Sequence, residues 1–251
     1  MAAQTQLIQK NDFIDITFTG RIKDGEIFDT NVKEDAEKIG LKFNGKPLVI
    51  CVGQGMVVAG FDNALEGKEI GKDYSIELQP KDAFQERQSN LVKLIPIKIF
   101  REKKINPYPG MTLNIDNMLV RVISVSGGRV LVDFNNILAG KTVIYTFKIN
   151  RKIESPEEKV NAITEFFTGK TFSFKISDDK KQAIFKDEGS EEIPKEYLNL
   201  IIGSLNDKFK DVLGLEMIVE PDKTSEDKIE ENKKPEEKKE EEKKEEEKQT
   251  E

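Results

Sequence analysis

The stretch from Pro47 to Gly71, PLVICVGQGMVVAGFDNALEGKEIG, limits the fold of this chain more than any other segment. Its first half alternates apolar side chains on two faces, which is typical of a buried strand. Two glycines then form a turn, and helical spacing starts at Phe61 and ends at Gly67. Because so short a helix is marginal alone, it must pack on a sheet. The stretch therefore predicts one short helix with Phe61 pressed onto the concave face of a sheet.

Four other segments supply the strands of this sheet. Phe13 to Gly20 and Glu26 to Thr30 alternate in hydrophobicity, and the Asp24-Gly25 pair between them is typical of a hairpin turn. Tyr74 to Leu78 and Thr142 to Lys152 are the other two segments. We expect an α+β fold, in which an antiparallel sheet wraps around the short helix. The charged segment 31–43 lacks alternation, so it forms a loop or a short helix near the edge of a pocket.

A small β-rich unit interrupts this domain. The apolar segment NLVKLIPIKIF contains Pro96, which limits it to an edge strand or a loop because proline donates no ladder hydrogen bond. Three alternating segments follow, the last two joined by a Gly-Gly hairpin. We expect residues 86–131 to form an inserted domain between residues 1–85 and residues 132–154 of the first domain.

The remainder of the chain predicts a second α+β unit and a tail. Ser155-Pro156 followed by glutamates is typical of a helix start. A helix, two strands, a longer helix and a last strand make residues 155–222 a C-terminal α+β domain of unknown role. Residues 223–251 hold nine lysines and thirteen acidic residues. Such a segment cannot bury enough apolar surface to fold, so we interpret it as a disordered solubilising tail, with a docking tail as the alternative.

Composition excludes several partners and compartments. Once the tail is set aside, the body is close to neutral, which argues against nucleic-acid binding. No signal-peptide profile and no apolar run of about 20 residues is present, so we expect a soluble cytoplasmic protein without membrane contact. The single Cys51 lies in an apolar strand and fits a reducing compartment. A homo-oligomer through Ile201, Leu205 and Phe209 stays open.

The chain contains no histidine and one cysteine, which excludes a His-based triad, a thiol pair and a Cys/His zinc site. The Gly53-Gln54-Gly55 turn lacks the Lys-Ser/Thr pair of a phosphate-binding loop. We therefore expect neither a metal nor a cofactor.

Five segments, in this order, carry a family resemblance. They are Phe13 to Gly20, DGEIFDT at residues 24–30, the stretch from Pro47 to Gly71, DAF at residues 82–84, and VDFNNILAGK at residues 132–141. Together they resemble the FKBP-type peptidyl-prolyl cis-trans isomerases. The last segment resembles the V-D-x-N-H-x-L-A-G signature of the SlyD-like and archaeal long-type branch. The resemblance implies that the chain isomerises Xaa-Pro bonds.

The resemblance also implies the pocket residues. The implied catalytic residues are Asp29, Phe61, Phe84 and Tyr145, and the implied substrate-binding residues are Phe18, Phe28, Ile50, Val57 and Val58. Asp29 would orient the twisting amide, and the Val58 N–H would bind the substrate carbonyl. Phe18 and Phe84 stand where the family usually has tyrosine, so two hydroxyls are missing. Without the resemblance, any one of the apolar residues would more simply be core, and Asp29 a turn residue.

The inserted domain matches the position of the insert-in-flap domain of that branch. Its apolar residues exceed what so small a unit buries easily. The predicted exposed patch consists of Leu91, Leu94, Ile95, Ile97, Ile99 and Phe100. We expect this patch to bind unfolded protein chains and the pocket to bind proline-containing peptides. The patch could instead pack on a neighbouring domain. The alternative function is a non-catalytic binding module whose isomerase pocket has degenerated.

Overall fold

The computed structural model describes residues 7–43, 45, 47–115, 118–186 and 195–220. The predicted tail at residues 223–251 lies outside the described residues. The chain divides into two compact units, Met1–Phe166 and Phe167–Glu251. None of the helices in the described ranges is both long and apolar enough to span a bilayer.

The first unit is built from short strands and a few short helices. Its strands are β1 Phe13–Ile22, β2 Ile27–Thr30, β3 Leu48–Cys51, β4 Asp73–Leu78, β5 Val92–Pro96, β6 Thr112–Ile115, β7 Met118–Ser126, β8 Arg129–Asp133 and β9 Val143–Ile153. Its helices are α1 Lys33–Lys38, α2 Ala59–Leu65, α3 Ile97–Glu102 and α4 Pro156–Thr168, whose last two residues belong to the second unit.

The main sheet is antiparallel and has β1 and β9 at its centre, in the order β2-β1-β9-β4. Two short strands share the outer edge of β1: β3 pairs with Phe13 to Ile16, and β2 pairs with Thr19 to Arg21. The predicted strands and the α+β class are therefore confirmed. The hairpin before β2 is also confirmed, with Asp24 rather than the following glycine at positive φ.

A side chain fills the gap between these two edge strands. The backbone N–H of Phe18 donates to Asn31 Oδ1 at 2.7 Å, and Asn31 Nδ2 donates to the carbonyl oxygen of Ile16 at 2.8 Å. The amide of Asn31 thus takes the place of a strand residue, because it offers one donor and one acceptor to the edge of β1. The segment that follows is a helix, α1, rather than a loop.

The inserted unit is a four-stranded antiparallel sheet in the order β5-β8-β7-β6. Its core consists of Phe100, Val120, Val122, Val130 and Val132. The segment with Pro96 forms the edge strand β5, as predicted, but α3 follows directly and was not predicted. Strand β8 continues to Asp133 and so extends past the boundary expected at residue 131.

The two connections to the inserted unit are joined by one buried amide. The Gln88 N–H donates to Asn135 Oδ1 at 2.8 Å, and Asn135 Nδ2 donates to the Gln88 carbonyl at 2.9 Å and to Asp133 Oδ1 at 2.7 Å. Asp133 also pairs with Arg87 at 2.6 Å. Both polar atoms of the Asn135 side-chain amide are hydrogen-bonded. These bonds hold together the two chain segments that lead into and out of the inserted unit.

The second unit contains β10 Phe174–Ile176, β11 Gln182–Phe185, α5 Lys195–Leu213 and β12 Glu216–Val219. The strand order is β10-β11-β12, and β12 runs parallel to β11 because α5 intervenes between them. Leu205 and Phe209 of α5 are buried, and Phe209 packs on the ring of Phe167. Two of the three residues suggested for a dimer contact, Leu205 and Phe209, therefore belong to a core, whereas Ile201 is half-buried.

We predict that Asn135→Ala lowers the free energy of unfolding of the first unit by about 1 kcal/mol, since it removes the part-buried hydrogen bonds between this amide and the backbone of Gln88. Hydrogen exchange should also become faster in β5 and β8. Asn114→Ala, on the exposed side of β6, is the matched control and should change neither quantity. Equal exchange rates in the Asn135 variant and the native protein would contradict the role of this amide.

Candidate active site

A cavity of about 960 Å³ opens on the main sheet. Seven of the nine predicted pocket residues line it together: Phe18, Asp29, Val57, Val58, Phe61, Phe84 and Tyr145. They come from β1, β2, the turn before α2, α2 itself, the segment after β4, and β9. The fold thus gathers residues that are up to 127 positions apart in the chain around a single hollow.

The floor of the cavity is a cluster of aromatic rings. The Phe61 ring stacks on the Tyr145 ring with centroids 4.6 Å apart and planes at 18°. Phe18 contacts both rings at 6.1 and 6.2 Å. On the other side of Tyr145, Phe28 makes edge contacts with Tyr145 and with Phe84 at 5.8 and 5.5 Å. Stacked and edge-to-face pairs of this kind are favourable, so the rings support one another's positions.

A glycine in β1 makes room for this cluster. A methyl group added at Gly20 would lie 2.8 Å from Phe28 Cζ and 2.9 Å from Tyr145 Cε1. Such distances are too short for carbon atoms, so only glycine allows both rings to reach the sheet. The sequence contains this signal, because Gly20 closes an otherwise continuous strand pattern.

The turn before α2 is held by a buried carboxylate that was not predicted. The N–H groups of Gly53 and Gly55 donate to the two oxygens of Asp62 at 2.8 and 2.9 Å. This carboxylate holds the turn against the helix that carries Phe61. Nothing in the described residues accepts a hydrogen bond from the N–H of Val58, which begins α2 and lines the cavity. That N–H is available to a ligand.

Electrostatics distinguish Asp29 from an ordinary surface acid. Partial burial in the cavity raises the pKa of its carboxyl, while a hydrogen bond from the Thr30 N–H partly opposes the effect. Burial, and then the negative charge of Asp29, raise the pKa of Tyr145 far above its usual value. Tyr145 is therefore a neutral hydroxyl at every physiological pH. Burial likewise raises the pKa of the Cys51 thiol to about 12, which keeps it unreactive.

Two predicted pocket residues lie elsewhere. Ile50 has 0% of its surface exposed and belongs to the core; the cavity reaches only the first residues of β3, Leu48 and Val49. Phe28 supports the rings of Phe84 and Tyr145 but is not part of the lining. Residues that line the cavity without having been predicted include Met56 and, from α4, Asn161 and Ala162. No cluster of His, Cys, Asp or Glu in the described part of the chain is arranged to hold a metal.

The predicted patch on the inserted unit needs correction. Phe100 is buried, and Ile95 and Ile97 pack against the core of the insert. Leu94 and Ile99 are exposed, as predicted, and Leu91 is half-buried. Further exposed apolar residues of the insert were missed: Tyr108, Met118, Leu119 and Ile123. The sequence of β7 could have indicated these exposed residues, because its apolar residues occupy both faces of the strand.

We predict that Gly20→Ala lowers the free energy of unfolding by about 1–3 kcal/mol, because the added methyl group displaces the Phe28 and Tyr145 rings. The near-ultraviolet circular dichroism of the aromatic cluster should change as well. Gly203→Ala is the matched control: it lies in α5 with open space around it and should stabilise the protein slightly. An unchanged spectrum and unfolding midpoint for the Gly20 variant would contradict the packing described here.

Comparisons with known proteins point to the family that the sequence motifs resemble. The family model for FKBP-type peptidyl-prolyl cis-trans isomerase matches residues 4–99, and that for the FKBP26 IF domain matches residues 93–138. A short-type peptidyl-prolyl cis-trans isomerase of Methanocaldococcus jannaschii is 28% identical over 61% of this chain and 98% of its own length. The FKBP-type isomerase SlyD of Haemophilus influenzae is 25% identical over 61% of this chain and 76% of its own. The chain is therefore similar to the FKBP-type peptidyl-prolyl cis-trans isomerases, whose family model it matches over residues 4–99.

Proposed function

We propose that the cavity on the main sheet binds the Xaa-Pro segment of a polypeptide and catalyses rotation about the bond before proline. The observation that carries this proposal is that Asp29, Phe61 and Tyr145 line one hollow together with the Val58 N–H. An apolar floor, one carboxylate and one backbone donor are the groups that amide rotation can use. Neither a nucleophile nor a metal is needed, because no covalent bond is made or broken.

The barrier to be lowered comes from amide resonance. Rotation costs about 18–20 kcal/mol because the C–N bond has partial double-bond character. Resonance places negative charge on the carbonyl oxygen of the planar amide, and this charge decreases as the bond twists. A dry apolar cavity stabilises the planar, charge-separated form less than water does, so it favours the twisted form by comparison. Each ~1.4 kcal/mol of such differential stabilisation accelerates rotation about tenfold.

The polar groups at the cavity orient the substrate during this rotation. The Val58 N–H donates to a carbonyl oxygen of the bound chain and fixes one side of the rotating bond. The proline ring lies on the Phe61 and Tyr145 rings, where it excludes water from the amide. Asp29, in its ionised form, attracts the positive end of the twisting amide dipole.

The inserted unit supports a second activity, binding of unfolded chains. Leu94 of β5 pairs across the sheet with Leu131 of β8, and Leu119 lies on β7, the next strand. Leu94 and Leu119 are exposed although both are large and apolar. Exposed apolar residues spread over one small sheet are typical of an interaction surface. We propose that this surface holds extended, apolar segments of unfolded proteins while their prolines reach the cavity.

A non-catalytic binding module remains the competing hypothesis. It is favoured by the phenyl rings at Phe18 and Phe84, which bring no hydroxyl to the cavity wall. The two hypotheses differ in one measurement, the rate of cis–trans exchange in a short Xaa-Pro peptide, since a binding module would leave that rate unchanged.

We predict that Asp29→Asn lowers kcat/KM for a short Xaa-Pro peptide by about tenfold or more in a protease-free assay. In the native protein, kcat/KM should fall on acidification. The fall should occur at a higher pH than the pH at which an ordinary aspartate becomes protonated, because burial raises the pKa of Asp29. The variant should lack this pH dependence. Asp24→Asn, in the exposed hairpin turn, is the matched control and should behave as the native protein does. Equal rates for the two variants would contradict the role of Asp29.

Protonation of Asp29 should lower the activity of the protein but raise the stability of its folded state. Because the folded state raises the pKa of Asp29, it binds the proton more tightly than the unfolded state does. Stability from this group is therefore present at low pH and is lost as the pH rises through the folded pKa. At neutral pH, the neutral amide of Asp29→Asn should leave the midpoint of thermal unfolding unchanged or raise it, and a lower midpoint would contradict this sign.

For the inserted unit, we predict that Leu94→Ser combined with Leu119→Ser weakens binding of a permanently unfolded client by about tenfold, since two apolar contacts are lost. The loss in this assay should exceed any loss in peptide isomerisation. Tyr197→Ser with Leu200→Ser, at exposed positions of α5, is the matched control. Equal client affinity of the two double variants would favour a role for the insert other than client binding.

A further inference from the structure

The cavity extends well beyond the residues that the isomerase proposal uses. Its volume of about 960 Å³ lies near the upper end of the range for small-molecule sites, roughly 300–1,000 Å³. A proline ring and the amide before it occupy only part of such a space. The remaining wall is formed by the segment after α1 and by one face of α4, through Leu41, Phe43, Ala162 and Phe166.

This second part of the cavity exposes large apolar side chains. Leu41 is 46% exposed, Phe43 is 41% exposed and Phe166 is 39% exposed, and all three line the same cavity as Asp29 and Phe61. Single exposed apolar residues are common on protein surfaces, but a group of them around one hollow indicates a binding surface. Ala162 lies in the same wall and is small, so it leaves space beside these side chains.

Helix α4 is held firmly enough to serve as a wall. Val160 and Ile163 on its inner face are fully buried. Near its start, Arg151 of β9 pairs with Glu158 at 2.6 Å and approaches Asp15 of β1 at 3.5 Å. The helix thus contacts β9 through Arg151, and β1 through the Lys159 ammonium, which lies 5.6 Å from the centroid of the Phe13 ring. Its outer face contributes to the cavity.

The helix also lies outside the part of the chain that the family models match, which ends at residue 138. The wall that α4 contributes is therefore a feature of this chain beyond the matched segments. Its contact with the isomerase cavity is continuous, because residues from both parts line one hollow.

We propose that Leu41, Phe43, Ala162 and Phe166 form a second subsite, which binds a large apolar side chain of the polypeptide that flanks the proline. This inference rests on the proposed isomerase function of the cavity. The occupant is a substrate chain because the subsite continues directly from the position of the Xaa-Pro bond. A bulky apolar residue a few positions from the proline would bury its side chain against Phe43 and Phe166 while the proline lies over Phe61.

The test measures the binding of peptides independently of their isomerisation. Fluorescein-labelled decapeptides that share one central Ala-Pro pair carry either leucine or serine at the positions two to four residues from the proline, on the N-terminal or on the C-terminal side. Fluorescence anisotropy with the full chain gives the dissociation constant of each peptide. The native protein should bind the leucine peptide of one side about tenfold more tightly than its serine counterpart, as expected for burial of a leucine side chain.

Variants then show which residues cause the preference for leucine over serine peptides. Phe166→Ser and Leu41→Ser should each reduce the leucine-to-serine affinity ratio toward one, and Ala162→Phe should do so by filling the space. Thermal unfolding identifies any variant that fails to fold, and Leu41 provides an independent position on a different segment. Leu7→Ser, which is also exposed but does not line the cavity, is the matched control and should keep the full ratio.

Failure of the subsite proposal can be distinguished from failure of the isomerase proposal. If the native protein binds leucine and serine peptides equally on both sides, or if the folded subsite variants keep the native ratio, the subsite is refuted. If the native protein shows the ratio but does not accelerate isomerisation of any peptide, the subsite stands as a binding site and the isomerase proposal fails.

Discussion

The ring of Phe61 lies on the ring of Tyr145 at a centroid distance of 4.6 Å, and this contact joins α2 to β9. A seven-residue helix has little stability of its own, so it needs such a contact to exist. The same stacked pair is the floor of the cavity. Folding and site formation are therefore one event in this unit: the interaction that fixes the helix on the sheet also builds the apolar surface on which a proline ring would lie.

Polar side chains form hydrogen bonds with backbone groups that the short strands leave unpaired. Asn31 bridges the gap between β2 and β3 on the edge of β1, and Asn135 joins the two connections of the inserted unit. In both places an amide side chain presents a donor and an acceptor to backbone groups that would otherwise be unpaired. The carboxylate of Asp62 accepts hydrogen bonds from the two glycine N–H groups before α2. Of these three residues only Asn31 also lines the cavity; Asn135 and Asp62 act through their hydrogen bonds alone.

Most strands, the short helix and seven of the residues that line the cavity could be predicted because alternation, glycine turns and family motifs are local in sequence. Ile50 was misplaced because alternation identifies the faces of a strand but not how far along the strand a cavity extends. The buried positions of Phe100, Leu205 and Phe209 were missed for a related reason, since an apolar residue looks the same in a core and on a binding surface. The role of Asn135 lies in its contact with Gln88, which is 47 residues away and leaves no local signal.

The proposed function of this protein requires that the aromatic hollow accelerates rotation about the amide bond before proline. Two-dimensional exchange NMR of a short Ala-Pro peptide tests it directly, because cis and trans signals are resolved and uncatalysed exchange takes tens of seconds or longer. With a catalytic amount of the protein, exchange cross-peaks between the two isomers should appear at mixing times below one second. Their absence even at protein concentrations equal to that of the peptide would contradict the account.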